Sequence, residues 1–536
     1  MQQLVEGESS QSQPSSPASP GADSADAGQR AGRGGLAVTA AKIYFILTGL
    51  VQQVALKQVL GLEGYGALSS ALAAASIVYN PIVAASIQGV SHAVATASDG
   101  SRAQVLRRTL KVHGVLALLL GAGFLALAPS LGVWTGAGHI VTALRVLSLV
   151  LLIYGLYAPL VGALNGQTRF LSQAGLDALA ATLRTLGLIG GALAFERWGS
   201  SELGGVEGAA LGFAGSSLLV LLVAGRKVGL GAGGAAPAQR QGSSYLRYIG
   251  PILVGQVLLN LLFQADQLLL RRFSADAALR AGLDPTAADP LVGAYRATQL
   301  FCFLPYQLVI SVSIVLFPML ARAHRDADAV ALARYVRQGV RLALITAGLI
   351  VSVTCGLSGP LLRLVFGAEA ATLAAAPMQV LALGLGNLAL LGVLTAVLNS
   401  VAQQRLSLIV TGLACLLVVG LCLGEVRGLP FGPELLWNTA LATSVALLAA
   451  TLVAGLLVRK VAGAVVDAAS VLRVLAALAG AVGVARLLPA ARPILTPLLA
   501  LLVGGVYLLV LILLRELGGA DWRALHGIVA RKRAVR

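Results

Sequence analysis

Fourteen stretches of this 536-residue chain are long and apolar enough to cross a bilayer as helices. They lie near 36–60, 64–95, 112–132, 138–164, 174–195, 205–224, 248–270, 291–321, 340–358, 375–400, 406–424, 436–458, 470–488 and 494–514. A crossing needs about 20 residues, because hydrocarbon leaves the backbone no partner except itself. The chain is 57% hydrophobic and 11% charged, outside the range of soluble domains. An all-α polytopic membrane protein follows. The net charge of +17 does not point to nucleic acid, because the bases sit between apolar spans.

Those bases set the predicted topology. With the N-terminus inside, the inner loops hold 18 bases, from Arg102 to Arg473, against 4 acids. The outer loops hold 8 bases against 10 acids, so both termini are predicted cytoplasmic. Residues 1–35, rich in Ser, Pro, Gly and Ala, are expected to be a disordered tail. No basic segment precedes an apolar core there, so the first span is read as an uncleaved insertion signal. The basic tail 515–536, with Arg531-Lys532-Arg533, is expected at the anionic inner leaflet. Only 6 of 39 bases are Lys, and Ala and Gly are abundant, which suggests a GC-rich bacterial genome and the bacterial inner membrane. The four cysteines, Cys302, Cys355, Cys415 and Cys422, lie in apolar segments without metal spacing and read as small hydrophobes.

Polar side chains inside the spans mark where function concentrates, because a charge at the centre of a membrane helix costs about 2.5–3.5 kcal/mol. They gather between Arg247 and Arg322. Gln256, Asn260, Gln264 and Gln267 fall within roughly 80° of a helical wheel, with Asp266 on the border. Arg296, Gln299 and Gln307 share a face of the next span. Such a stripe faces a partner helix or a water-filled cavity. Lys57, on one face with Lys42, Gly49 and Gln53, reads as a phosphate contact or as a snorkelling side chain. Arg296 reads as a phosphate contact or as the partner of Asp266. Arg184 lies midway through its span, seven residues after Asp177 on the same face, which suits an ion pair or a coupling role. His92 is a candidate phosphate contact or a structural histidine. Gln256, Asn260 and Gln264 suit sugar hydroxyls or inter-helix glue. Pro81, Pro305 and Pro318 are expected kinks. The sequence carries no metal-spaced His/Cys set, no phosphate-cradling glycine loop and no soluble domain, so no cofactor, metal or enzyme activity is expected.

The chain also repeats itself. Leu106-Arg107-Arg108-Thr109-Leu110-Lys111 matches Val336-Arg337-Gln338-Gly339-Val340-Arg341 at an offset of 230. Tyr65 matches Tyr295 at 230, Pro129 matches Pro360 at 231, and Asn165 matches Asn399 at 234. Each unit holds six helices, so the halves run parallel. The expected organisation is a bundle over 36–225, a linker over 226–247, a second bundle over 248–458 and a C-terminal pair over 459–514. A site between such halves is a transporter architecture.

Lys57-Gln58-Val59-Leu60-Gly61-Leu62-Glu63-Gly64-Tyr65-Gly66 resembles the first-hairpin motif of the polysaccharide transporters and lipid-linked oligosaccharide flippases. That family belongs to the multidrug/oligosaccharidyl-lipid/polysaccharide superfamily. Gly293 through Pro318 is similar to its eighth helix. Ala163–Arg169 and Val397–Arg405 resemble the turns ending its fourth and tenth helices. The resemblance covers about 36–460. It implies two six-helix bundles and an undecaprenyl-pyrophosphate-linked sugar as cargo. Lipid II flippases of this family carry arginines where this chain has Gln52 or Gln53, Gln58 and Leu300. Arg296 stands one turn from Leu300 and suits the same face. This departure favours O-antigen, capsule or exopolysaccharide units over lipid II.

The resulting expectation is a monomeric flippase with a cationic central cavity, whose partners are a polyprenyl-linked glycan and the bilayer. The rivals are a lipid II flippase, a drug or cation antiporter and a membrane-embedded glycosyltransferase. An antiporter needs membrane carboxylates, and only Asp177 and Asp266 qualify. A glycosyltransferase needs a large outer loop, and the longest expected one, about 271–290, is short.

Overall fold

The computed structural model describes residues 20–97, 101–199, 204–228, 242–488 and 493–518. Side chains are described from Tyr44 onward, except those of residues 242–244, 246, 314 and 315. Lys42, Arg240, Arg492 and the run Arg531-Lys532-Arg533 therefore lie outside what can be compared.

Among the described residues there are helices and no strands. In chain order they are α1 (Pro20–Ala95), α2 (Arg102–Trp134), α3 (Val141–Gly166), α4 (Phe170–Trp198), α5 (Gly205–Val228), α6 (Gly242–Arg280), α7 (Asp289–Cys302), α8 (Leu304–Arg325), α9 (Ala329–Gly356), α10 (Ser358–Ser400), α11 (Gln404–Glu425), α12 (Glu434–Ala462), α13 (Ala468–Leu487) and α14 (Thr496–Leu513). Twelve are long and apolar enough to span a membrane, counting the α1 hairpin as a single element.

α1 is a hairpin. Gly61 has φ 69° and ψ −175°, a conformation that needs the missing Cβ. The Tyr65 hydroxyl then reaches back to Gln53 Oε1 at 2.9 Å. Twelve residues of straight helix would separate them by about 18 Å, so the chain has reversed. α1 supplies two legs, and with α2–α5 makes the first six-helix bundle. α7 and α8 form one broken crossing, and with α6 and α9–α12 make the second.

The repeat is visible in the backbone. Gly136 (φ 62°) and Gly367 (φ 90°) turn the chain at equivalent points, offset by 231. Tyr65 and Tyr295 are both fully buried, and their hydroxyls reach back to Gln53 and Asp266, but the reciprocal crossing of Gly66 and Gly293 sets the local offset at 227, so the expected pairing of the two tyrosines at 230 is not a structural equivalence.

Four other expectations need correction. The chain is already helical from Pro20, inside the segment expected to be disordered. Residues 20–35 hold five glycines against four alanines, but Asp26 stands four residues before Arg30 and proline takes the first helical position, both of which favour a helix. The expected outer loop 271–290 is mostly helix, because α6 continues to Arg280. The expected single span 291–321 is interrupted at Phe303, ahead of Pro305 in the first turn of α8, and is bent by 42° between Ser313 and Leu316. The expected span 375–400 starts earlier, as α10 from Ser358 with its bend at Gly367.

The C-terminal pair packs on α9 through Val474, Ala477, Ala481, Tyr507 and Leu511, with the Tyr507 hydroxyl on the Ile345 carbonyl at 3.0 Å. A charged clasp closes the end of the pair at Glu516. Glu516 is buried and meets Arg341 Nε at 2.7 Å and Arg473 Nη1 at 3.0 Å. Burial alone raises the Glu516 pKa, but hydrogen bonds from Arg341, Ser470 and Arg473 outweigh it and hold it below the usual carboxylate range. A depressed folded pKa contributes stability that is present above about pH 4.3 and lost as pH falls through the lower folded value. Glu516→Gln should therefore loosen α13 and α14 at pH 7. The loss should lie between the about 1 kcal/mol of an exposed pair and the about 3–5 kcal/mol of a buried one. Wild type should show the same loosening only in acid. Hydrogen exchange along α13 and α14 at pH 7 and pH 3.5 measures both.

Candidate functional site

The seam between the bundles is built by the second leg of α1 against α6 and α7. Two glycines make the closest approach. A Cβ on Gly66 would overlap the Asp289 carbonyl oxygen, and one on Gly293 would overlap the Leu62 carbonyl oxygen. Below this crossing, Gln267 Nε2 donates to Ser69 Oγ at 3.0 Å, and Asn80 Nδ2 donates to Asn260 Oδ1 at 3.0 Å. At the predicted inner end the His92 and Tyr248 rings stack at 4.4 Å. The α6 stripe thus faces the other bundle.

A buried carboxylate sits on this seam. Asp266 is 2% exposed. It accepts from the Tyr295 hydroxyl at 2.7 Å, from the Gln267 backbone N–H at 2.8 Å and from Gln299 Nε2 at 3.1 Å. The other end of Gln299 accepts from Arg296 Nη1 at 3.0 Å. The Arg296–Asp266 contact is therefore relayed by Gln299 rather than made directly. Only one hydrogen-bonded residue separates the cation from the anion, and Tyr65 lies within the reach of Arg296 on the opposite bundle.

The predicted outer end is locked. Arg271 is 0% exposed, and its Nε lies 3.3 Å from Asp289 Oδ1. Its Nη1 donates to the Pro285 carbonyl at 3.0 Å, and its Nη2 crosses the seam to the Gly136 carbonyl at 3.1 Å. His139 of the first bundle meets Asp289 Oδ2 at 2.9 Å. Arg272 Nη1 donates to the Trp134 carbonyl at 2.9 Å, at the C-terminal end of α2 where orphan carbonyls collect. Lys57 joins this end. Its Nζ comes within 3.3 Å of where a side chain on Gly367 would begin, in the second bundle.

The predicted inner side is open by comparison. A cavity of about 780 Å³ lies in the second bundle among α6, α8, α10 and α11. Gln256, Tyr306, Thr395, Asn399, Ser407 and Thr411 line it, with Arg247 and Tyr248 toward the inner end and Gln88 from the first bundle. Its described lining contains no carboxylate.

The candidates named from sequence thus separate. Arg296, Gln53 and Asp266 meet around Tyr65, Gln299 and Tyr295. Asn260 and His92 are seam contacts. Gln256 lines the cavity. Gln264 is half-buried, and its Oε1 has no hydrogen-bond partner among the described residues. Lys57 belongs to the outer closure. Arg184 lies inside the first bundle with its guanidinium 4.8 Å from the Phe213 ring, not against Asp177, which neighbours Tyr157. Sequence reasoning missed Arg271, Asp289 and His139, which it assigned to loops or left unread. It also passed over Tyr65 and Tyr295 as contacts.

A sequence profile described as polysaccharide biosynthesis protein matches residues 31–324, more than half of the chain. No curated protein matches it by sequence. The fold is similar to the lipid II flippase MurJ in an inward closed conformation. That match has 15% identity and a TM-score of 0.71, and covers 89% of this chain and 99% of that one. It is similar to an inward-facing multidrug resistance MATE family transporter of the MOP superfamily, at 16% identity and a TM-score of 0.62, over 80% of this chain and 98% of that one. A MOP superfamily transporter from Pyrococcus furiosus aligns at 16% identity with a TM-score of 0.55, over 79% of this chain and 96% of that one. By its matched sequence the chain belongs to the polysaccharide biosynthesis protein family, and by its helices it has a MOP-like transporter fold.

Proposed function

We propose that this protein is a flippase. It moves an undecaprenyl-diphosphate-linked oligosaccharide, an O-antigen, capsule or exopolysaccharide unit, from the inner to the outer leaflet of the bacterial inner membrane. Both termini stay cytoplasmic and the chain acts as a monomer. One observation carries the reading. The cavity on the predicted inner side sets amides and hydroxyls among leucines and other apolar side chains, has an arginine toward its inner end, and shows no described carboxylate. Amides and hydroxyls suit sugar hydroxyls, and a guanidinium suits a diphosphate. An antiporter for organic cations would need the opposite charge there. Lipid II remains the second candidate cargo because its flippase shares the fold.

The movement follows from the lock and the relay. The described arrangement is closed outside and polar inside. The headgroup enters the cavity while its lipid tail stays in hydrocarbon. Arg296 turns from Gln299 toward the diphosphate, and Asp266 then loses its relayed cation. Gaining a proton or another cation at Asp266 would offset that loss, which gives this carboxylate a coupling role. Release of Arg271 and Arg272 from the carbonyls at the end of α2 lets the outer end part. Inside-negative potential favours outward passage of an anion by about 2.3 kcal/mol per charge per 100 mV.

Deletion of the gene in its host, followed by mass analysis of polyprenyl-linked glycans, tests the cargo. The expected result is accumulation of one complete repeat unit that outside probes cannot reach. An unchanged lipid-linked pool with intact surface glycan, together with lost dye efflux, would replace this reading with the antiporter.

A further inference from the structure

The first bundle holds a cation that the seam does not use. Arg184 lies on the buried face of α4. Leu186 and Leu193, 61% and 51% exposed, mark the lipid-facing side of that helix. At 100° per residue they stand roughly 160–180° from Arg184. Gly187 and Gly191, on the side of Arg184, touch the backbone of α5 at Gly212 and Gly208. Arg184 is nonetheless only half-buried. Its face is the one opposite the exposed leucines.

What surrounds it is aromatic and hydroxylated. The guanidinium lies over Phe213, and Tyr154 packs on the same ring at 5.8 Å and stacks on Tyr79 at 5.7 Å. The Tyr154 hydroxyl neighbours both Ser217 and Arg184. Two buried donors are left over. Arg184 Nε and the Tyr157 hydroxyl have no hydrogen-bond partner among the described residues. No described carboxylate pairs with Arg184. Asp177, two turns away and about 10 Å along the helix, has an interaction of its own.

The repeat shows that this arrangement is particular to one half. Tyr79 and Tyr306 are offset by 227, as are Gly66 and Gly293. Tyr306 lines the second-bundle cavity. At the offset of 234 that relates Asn165 to Asn399, Arg184 falls on Val418, which is fully buried. The two bundles therefore present unlike interiors, cationic and aromatic in the first, and amides, hydroxyls and leucines with Arg247 at one end in the second.

We propose that Arg184, framed by Tyr79, Tyr154 and Ser217, is an oxyanion site inside the first bundle. It takes a phosphate group of the headgroup, in addition to the contacts from Arg247 and Arg296, while the amides and hydroxyls of the second-bundle cavity take sugar. A guanidinium offers paired N–H donors to such a group, and the neighbouring hydroxyls add more. The proposal deepens the flippase reading and rests on it for the identity of the cargo, though not for the chemistry of the site.

The full chain in phosphatidylcholine nanodiscs provides the test, with binding measured for three probes: inorganic diphosphate, a polyprenyl diphosphate and phosphatidylglycerol. Arg184→Gln is expected to weaken the phosphate probes by about tenfold or more, the loss of one charge-assisted contact. Arg184→Lys should keep part of the affinity, and Ser217→Ala should lose less than Arg184→Gln. If Arg184→Gln does not fold by size exclusion and melting, the other two variants carry the comparison. Wild-type affinity in every folded variant overturns the site. So does absence of binding of all three probes to the wild-type chain. Binding of polyprenyl diphosphate that ignores Arg184 sinks the site and leaves the flippase reading standing. Arg184-dependent binding of phosphatidylglycerol alone supports the site and sinks the cargo.

Discussion

Arg271→Met is expected to destabilise the closed outer end by about 3–5 kcal/mol, the range for stranding a buried charge. Arg271 is fully buried, and it holds Asp289 of its own bundle and the Gly136 carbonyl of the other at once. Methionine fills similar space but leaves Asp289, 1% exposed, with the His139 imidazole as its remaining side-chain neighbour at 2.9 Å. The effect should appear as separation of the bundles. Spin labels at the exposed positions Val133 and Leu283, on opposite sides of the seam, should give one short distance in the wild type. They should give a longer, broader distribution in Arg271→Met. Adding Asp289→Leu should restore stability toward wild type, because removing both members of a buried pair is often neutral. Unchanged distances in the single variant would show that the lock does not hold the bundles together.

Lys57→Gln with Arg296→Gln is expected to lower transport by roughly two to four orders of magnitude. Each charge-assisted hydrogen bond contributes roughly 1.5–3 kcal/mol, and every 1.4 kcal/mol is about tenfold. The two act at different steps. Arg296 faces the seam through Gln299, so its loss should weaken cargo binding. Lys57 lies at the outer closure beside Gly367, so its loss should change the balance between closed and open forms more than affinity. Transport rate and polyprenyl diphosphate affinity, measured on each single variant, separate these roles. Wild-type transport in the double variant would remove both residues from the mechanism.

The helices were legible because their cause is local. A run of about 20 apolar residues dictates a crossing whatever it packs against. The hairpin at Gly61 and the bend at Gly367 were less legible, since hydropathy registers composition and not φ. The site was partly readable. The period of Gln256, Asn260, Gln264 and Gln267 exposed a polar face, but periodicity cannot say what that face meets. Asn260 meets Asn80, a residue 180 positions away. The outer lock was hidden for the same reason. Arg271 and Asp289 looked like loop charges, and only the docking of α6 against the turn after α2 buries them. Arg184 shares a helix face with Asp177 and was read as an ion-pair or coupling residue, but periodicity could not show that the Phe213 ring of another helix lies against it.

The proposed carriage of a lipid-linked glycan across a bilayer can be followed directly. The most direct measurement is reconstitution of the purified full chain in sealed vesicles containing a polyprenyl-diphosphate oligosaccharide. A membrane-impermeant glycan-modifying probe then reports how fast the initially inaccessible headgroups become exposed. The account predicts protein-dependent exposure of the inaccessible fraction, nearly abolished by Lys57→Gln with Arg296→Gln in folded protein. Exposure at the rate of protein-free vesicles, under an inside-negative potential and with a proton or sodium gradient supplied, would contradict it.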